Sequence, residues 1–290
     1  MKELSGVIVK GIGGFYYVDT NRGIIECRAR GLFRKKGFTP LVGDKVVISF
    51  DEESMQGYVS EILPRISELI RPAVSNVTQM VVVVAQSSPA PNLYVLDKLI
   101  ASAEFAKLKI AICFNKSDLE ENAEVIKIYK DAGFKVLETS AVFGVGIERL
   151  KEILKNETTV FAGNSGVGKS SLLNAVIGEN MFETGMVSEK LERGKHTTRH
   201  SELVSLPFGG YIVDTPGFSS FDVNKIPNTE LGSMFREFEE SFGKCRFLDC
   251  SHTVEPDCDV RRRVENGDIS KSRHESYVQL YREIKEANQL

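Results

Sequence analysis

Three short motifs, in an unusual order, constrain this chain more than anything else in it. Asn115-Lys116-Ser117-Asp118 comes first, Gly163-Asn164-Ser165-Gly166-Val167-Gly168-Lys169-Ser170 second, and Asp214-Thr215-Pro216-Gly217 third. The middle motif has the G-x-x-x-x-G-K-S form of a phosphate loop, which needs a strand before it and a helix after it. The first is a guanine-reading motif, and the third is a turn that senses magnesium and the terminal phosphate. In an ordinary guanine-nucleotide switch the guanine reader follows the other two. Its place here at the front implies a circularly permuted α/β P-loop domain. Strands alternating with helices from Val77 onward support that reading.

Each motif residue has a physical task. Backbone N–H groups of Gly163, Asn164, Ser165, Gly166, Val167 and Gly168 cradle phosphate oxygens, and the helix that follows adds a partial positive charge at its start. Lys169 reaches the β- and γ-phosphates, Ser170 binds Mg²⁺, and Ser171 stands beside it in the same first turn. Asp214 ends a strand 45 residues beyond Lys169, where a carboxylate holds Mg²⁺. Gly217 offers an N–H to the γ-phosphate. Asn115, Lys116 and Asp118 sit at the end of another strand, and the Asp118 carboxylate can accept from guanine N1–H and its 2-amino group. Adenine lacks that donor pair, so GTP and GDP are preferred over ATP. Ser140 and Ala141, in Glu138-Thr139-Ser140-Ala141, fit the second base-contacting loop.

The segment between the phosphate-loop helix and the next strand carries Gly194-Lys195-His196-Thr197-Thr198-Arg199-His200. Thr197 or Thr198 can serve magnesium and the γ-phosphate; Thr198 is carried as the magnesium ligand with both at the nucleotide. The position that holds a water-orienting glutamine in Ras-like switches is Phe218, and a phenyl ring cannot align water. Slow intrinsic hydrolysis is expected, with His196 as the candidate group for the attacking water. A solvated loop residue or an RNA contact is the other reading of His196.

Upstream, residues 1–65 carry five short β-prone runs separated by Gly and Asn turns: Val7–Val9, Phe15–Val18, Ile24–Cys27, Lys45–Phe50 and Tyr58–Ile62. That pattern suits a small OB-like barrel, a fold that often holds oligonucleotides. Pro64 and Pro72 bracket an expected linker. Residues 73–224 form the permuted nucleotide-binding domain, and residues 225–290 a helical, metal-binding C-terminal domain, so the expected fold class is multidomain. A net charge of −3 gives no global attraction to nucleic acid. Basic residues cluster locally instead: Arg28, Arg30, Arg34, Lys35 and Lys36 lie within nine residues with no acid between them. On a barrel loop they suit an RNA backbone, with Phe33 or Phe38 to stack on a base. Arg261-Arg262-Arg263 is a weaker second candidate.

Five cysteines are present, and three of them crowd into fourteen residues as Cys245-x4-Cys250-x-His252-x5-Cys258. Three thiolates and one imidazole are the donor set of a structural Cys₃His zinc site, closed to catalysis because no position is left open. Cys27 and Cys113 fall in strands and read as core. No apolar run reaches the roughly 20 residues that span a bilayer, and no apolar run follows a basic start, so no signal peptide and a cytoplasmic location are expected.

Together, the OB-like start, the permuted motif order and the Cys-x4-Cys-x-His-x5-Cys segment resemble the RsgA family of bacterial small-subunit biogenesis GTPases over essentially the whole chain. The Asn-Lys-Ser-Asp, Gly-Asn-Ser-Gly-Val-Gly-Lys-Ser, Asp-Thr-Pro-Gly-Phe and Gly-Lys-His-Thr-Thr forms all fit that family's pattern. The resemblance implies binding to the 30S subunit and its 16S rRNA late in maturation; a monomer is the default expectation, with no role for DNA or membrane. It also implies hydrolysis stimulated by the subunit, release on hydrolysis, and His196 as the catalytic histidine.

Overall fold

The computed structural model describes residues 2–29, 38–51, 56–70, 73–119, 121–178, 201–214 and 223–288. Arg30, Phe33, Arg34, Lys35 and Lys36 of the basic run lie outside them, as do His196, Thr197, Thr198, Gly217 and Phe218. The described residues fall into two compact units. One draws on Met1–Gln79, Lys151–Phe161 and Gly185–Phe218, the other on Met80–Leu150, Ala162–Thr184 and Ser219–Leu290.

The first unit opens with five strands: β1 (Lys2–Ile12), β2 (Phe15–Thr20), β3 (Gly23–Ala29), β4 (Lys45–Asp51) and β5 (Gln56–Ile62). They pair in the order β1-β2-β3-β5-β4, and β4 returns to pair β1 antiparallel from Lys2↔Phe50 to Val7↔Lys45. The ring is therefore closed, which removes free edges from its circumference. Register shifts in β1 between Ile8 and Lys10, and in β5 at Ser60 opposite Val47 and Ile48 of β4, mark bulges, the local bends that closure of so few strands needs. Ile8, Val18, Val46, Ile48 and Val59 point inward and are fully buried; each stabilises the barrel by about 1.5–3 kcal/mol.

The expected linker between Pro64 and Pro72 is instead structured. β6 (Glu68–Ile70) and β7 (Ala73–Ser75) pair antiparallel as a small hairpin. The reason lies in Asp44, a wholly buried carboxylate that must be satisfied. It accepts from the Leu41 N–H (2.8 Å), from Arg65 Nε (2.7 Å) and Nη2 (2.8 Å), and from Ser75 Oγ (2.6 Å). One of those three donor residues, Arg65, belongs to the stretch that composition alone marks as a spacer, and Ser75 lies just beyond it.

Further along the chain, β11 (Thr158–Ala162), β12 (Glu202–Ser205) and β13 (Tyr211–Asp214) continue this unit's sheet. β13 lies between parallel β11 and antiparallel β12. β12 then pairs β1 at Lys10↔Glu202, where Lys10 Nζ also meets the Glu202 carboxylate at 2.7 Å. Tyr211 donates its hydroxyl to Asp19 (2.9 Å) on β2.

In the second unit, β8 (Gln79–Ala85) and β9 (Lys109–Asn115) are almost continuous apolar runs, and β10 (Lys135–Glu138) pairs β9 in parallel. Burial of all of β8, and of β9 after the exposed Lys109, is what strands covered on both faces require. Helices α1 (Leu93–Phe105), α2 (Ala123–Asp131) and α3 (Ile147–Leu154) follow in turn. Asn92 and Asn122 cap α1 and α2, accepting from Val95 N–H and Val125 N–H. Helix α4 (Lys169–Ile177) begins at the phosphate loop.

The C-terminal segment lays down three short 3-10 turns, Val223–Lys225, Leu231–Met234 and Arg236–Ser241, before α5 (Asp259–Glu265) and α6 (Lys271–Ala287). The amphipathic stretch Tyr277–Ile284 is part of α6 and turns Tyr277, Leu280 and Ile284 into a core with Phe235, Phe238 and Ala101 of α1. A charge network joins the same elements. Arg273, 1% exposed, donates to Asp97 of α1 (2.6 Å) and to both oxygens of Glu237 (2.7 and 3.1 Å). Tyr129 of α2 donates to the same Asp97 oxygen (2.8 Å). Burial pushes the Asp97 carboxyl above the ordinary carboxylate range although Arg273 opposes the shift. Among the described residues, no helix is long and apolar enough to cross a membrane.

Candidate nucleotide site and metal centre

The phosphate loop follows directly from β11 and ends where α4 begins, the strand–loop–helix context its motif requires. Two glycines fix its path. A Cβ on Gly163 (φ 142°) would lie 2.2 Å from the Val83 carbonyl oxygen, and one on Gly168 (φ 92°) 2.5 Å from the Asn115 amide nitrogen. Only a bare Cα lets the backbone pass so close to its supports. Val167 is buried while Ser165 and Gly166 stand exposed, and Asn164, Ser170 and Ser171 are half-buried. The loop thus has an anchored floor and an open rim. Lys169 turns its Nζ back onto the carbonyls of Gly163 and Asn164, each at 2.7 Å. Burial lowers its pKa, so an anion beside the ammonium is the partner that this desolvated cation is poised to gain.

The residues expected to read guanine are brought to the same loop. Asn115, almost fully buried at the end of β9, donates from Nδ2 to the Val167 carbonyl (3.0 Å) and accepts from the Thr139 hydroxyl at Oδ1 (3.2 Å). Thr139 in turn contacts Cys113 Sγ at 3.1 Å. Lys116, at φ 63°, sends its Nζ to the Ser88 carbonyl (2.5 Å). Asp118 is exposed and is held by a hydrogen bond from Ser140 Oγ. Ser140 itself is buried and Ala141 half-buried. A carboxylate steadied from behind and open in front is suited to reading a guanine edge. Ser88 is a partner that motif reading passed over, acting through a backbone carbonyl with no local signature; Thr139 lies inside the quoted Glu138–Ala141 motif, but its bond to Asn115 is not legible from it. Asp214 ends β13, its backbone in register with Glu202.

The second constellation is the cysteine cluster. Sγ of Cys245, Cys250 and Cys258 and the ring nitrogen of His252 all lie within 4.8 Å of one another. Cys245 Sγ is 3.9 Å from Cys258 Sγ, and those two sulfurs are 3.6 and 3.5 Å from His252 Nδ1. A tetrahedral ion with Zn–S of about 2.3 Å and Zn–N of about 2.0–2.1 Å has edges of about 3.8 Å between sulfurs and about 3.5–3.6 Å between sulfur and nitrogen. The donor set and its spacing are compatible with zinc. The cluster is held from outside as well: the Asp259 N–H donates to Cys245 Sγ (3.4 Å), His274 Nε2 meets the His252 carbonyl (2.8 Å), and Tyr277 donates to the Ser251 carbonyl (2.7 Å).

The arginines expected as RNA contacts behave differently from one another. Arg28 is exposed and lies 4.8 Å over the Phe15 ring. The Arg261–Arg263 triplet is already engaged within the chain. Arg261 donates to the carbonyls of Val254 and Glu255, Arg262 pairs with Asp259, and Arg263 pairs with Glu240. Of the three, Arg261 is the one that contacts the cysteine segment. Cys27 and Cys113 are buried core residues as expected, and burial pushes both thiols up to about 12.

Comparison with known proteins places this architecture. Residues 62–224 match the family described as RsgA GTPase, and residues 5–59 match the RsgA N-terminal domain. The small ribosomal subunit biogenesis GTPase RsgA of Caldanaerobacter subterraneus subsp. tengcongensis is 50% identical, covering 99% of this chain and 97% of its own length. Its namesake from Ruminiclostridium cellulolyticum is 48% identical over 98% of this chain and 95% of its own. Among solved structures, YjeQ from Thermotoga maritima superposes with a TM-score of 0.83 at 36% identity over 98% of this chain and 99% of that one. YloQ, described as a circularly permuted GTPase, gives 0.82 at 35% identity over 98% and 96%. With its five-stranded barrel, permuted nucleotide-binding core and cysteine–histidine cluster, the chain belongs to the RsgA family of ribosome-biogenesis GTPases, enzymes that hydrolyse GTP.

Proposed function

We propose that this chain binds the 30S ribosomal subunit in its GTP state during late maturation, hydrolyses GTP there, and leaves when hydrolysis is complete. The observation that carries the reading is the tie between Asn115 and Val167, which joins guanine recognition to phosphate binding in a member of a family named for small-subunit biogenesis. The three-part organisation, 1–65, 73–224 and 225–290, divides the work. The barrel and its Arg28-to-Lys36 run meet 16S rRNA, the middle domain turns over nucleotide, and the last domain is stapled by one zinc. The protein acts as a cytoplasmic monomer.

Within the nucleotide site, the backbone of Gly163 to Gly168 holds the phosphates while Lys169 moves from its two carbonyls to the β- and γ-oxygens. Asn115, Lys116, Asp118, Ser140 and Ala141 hold the base. Ser170, Asp214 and a threonine, Thr198 or its neighbour Thr197, offer the hard oxygen donors that Mg²⁺ prefers; bound there, the ion neutralises charge that develops on the phosphoryl oxygens. Gly217 marks the terminal phosphate. With Phe218 unable to orient water, His196 takes that part once the subunit positions it.

Hydrolysis of GTP, with ATP as control, is to be measured with purified 30S subunits, with 50S subunits and with neither. Strong stimulation by 30S alone is the expected result. Equal rates in all three would remove the small subunit as activator and leave only a guanine-nucleotide hydrolase.

A further inference from the structure

Strand β13 is only four residues long, Tyr211–Asp214, and its last residue is the one expected to serve magnesium. The first hairpin of the barrel holds it at both ends. At its start, the Tyr211 hydroxyl donates to Asp19 of β2 (2.9 Å). At its finish, the Asp214 backbone pairs with Glu202 of β12, Glu202 pairs with Lys10 of β1, and Lys10 Nζ meets the Glu202 carboxylate at 2.7 Å. One cross-strand row, Lys10–Glu202–Asp214, thus leads from the barrel to the end of β13.

A bulge makes that row possible. Ile8 pairs with Val18 and Lys10 with Tyr17, so Val9 is the extra residue in β1. Strict alternation would put Lys10 on the face of Ile8, which is fully buried, and an unpaired cation has no place in an interior of valine and isoleucine. With the bulge, Ile8 and Val9 are both buried and Lys10 turns out to Glu202; re-aiming a side chain is what bulges do. The Lys10–Glu202 pair is a weak source of stability, because its side chains are 35% and 44% exposed. Its position matters more: among the described residues, it is the one paired position between β1 and β12.

We infer that Lys10 and Glu202 are positioning residues for Asp214, acting with Asp19 and Tyr211 to fix the register of β13. The inference rests on the magnesium reading of Asp214 above and adds what holds that residue's backbone in place. Mg²⁺ demands near-ideal octahedral geometry with oxygens at about 2.0–2.1 Å, so a strand that slips in its register loses the ion.

Lys10→Glu sets two carboxylates against each other, and adding Glu202→Lys restores the pair with its charges exchanged. Lys10→Glu is expected to raise the Mg²⁺ concentration for half-maximal GTP hydrolysis about fivefold, with KM for GTP unchanged at saturating Mg²⁺. Without nucleotide or Mg²⁺, it should also speed hydrogen exchange of the 211–214 amides, read by mass spectrometry. The exchanged pair should return both quantities to within twofold of the parent. Tyr211→Phe deletes only the hydroxyl bond to Asp19; it should shift the Mg²⁺ requirement about threefold, and it supplies the test where Lys10→Glu fails to fold. Asp214→Asn is the reference. If Asp214→Asn shifts the requirement while Lys10→Glu lowers only the melting temperature, the pair is merely structural and the proposal is overturned. An exchanged pair as impaired as Lys10→Glu alone overturns it too. If Asp214→Asn is itself silent, the magnesium reading of Asp214 falls and takes the proposal with it.

Discussion

Asn115 donates its side-chain amide to the carbonyl of Val167, 52 residues later in the chain. The residue proposed to help read guanine is thereby fastened to the phosphate loop, with the Thr139 hydroxyl fixing which way the amide faces. Truncation would take the side-chain donor from the Val167 carbonyl in a buried setting and leave the Thr139 hydroxyl only its contact with Cys113, at a cost of about 1–3 kcal/mol. Asn115→Ala should therefore weaken GDP and GTP binding by roughly 5- to 150-fold by titration calorimetry. An affinity unchanged from the parent would show that the tie is incidental.

Arg273 carries a comparable burden in the C-terminal core. It is the shared partner of Asp97 and Glu237, and its guanidinium lies 4.5 Å over the Phe235 ring. Arg273→Met keeps the bulk but strands two buried carboxylates, so urea unfolding should show a loss of about 3–5 kcal/mol. Adding Asp97→Asn to that variant should restore part of it, because the two changes share one network. Strictly additive losses would argue against the network.

Removing one zinc ligand should separate structure from chemistry. Native mass spectrometry of Cys258→Ala is expected to show loss of one bound zinc per chain, and limited proteolysis to open the 245–258 segment first. Basal GTP turnover should survive, since the four donors leave no open position for substrate. Retention of stoichiometric zinc would exclude Cys258 as a ligand.

Acid should loosen the contact between α1 and α6 through Glu283. Burial raises the pKa of its carboxyl, but hydrogen bonds from Lys98 and Tyr94 outweigh that, and the net shift is downward from the ordinary 4.5. A carboxyl with a depressed folded-state pKa contributes its stability in full above the unfolded value and loses it as pH falls through the folded one. Stability should decline below about pH 4.5, and Glu283→Gln should flatten part of that decline in a series of thermal melts. Identical acid limbs for the two proteins would contradict this.

His196→Ala tests the catalytic assignment. General acid–base groups typically contribute 10²- to 10⁴-fold, so 30S-stimulated turnover should fall by about that factor while GTP affinity stays the same. A matching loss of affinity would instead make His196 a binding residue.

Much of this molecule could be read before its coordinates. The β8 run, seven consecutive buried residues, and the phosphate-loop helix announce themselves because their signals are local: an apolar run, a turn, a cap. The cysteine–histidine cluster, whose spacing is compatible with zinc, lies within fourteen residues of sequence and needed only counting. The hairpin at Glu68–Ser75 was hidden because its cause is Asp44, and a run bracketed by prolines looks like a spacer until the buried carboxylate it satisfies is known. Arg273 was hidden for a related reason. Its partner Asp97 lies 176 positions away, and nothing about an arginine in a polar helix distinguishes a core cation from a solvated one. The guanine motif named Asn115, Lys116 and Asp118, but Thr139 and Ser88 became visible only when backbone and side-chain oxygens could be traced.

The pairing of β1 with β12 has a practical side. Because Lys10 and Glu202 share a register and Tyr211 reaches Asp19, the N-terminal barrel is spliced to the ribbon that carries Asp214. Excising residues 1–65 to isolate a minimal enzyme would therefore strip β12 of its neighbour and leave a raw edge, open to any passing strand. A shortened enzyme would need a graft along that seam to stay in solution.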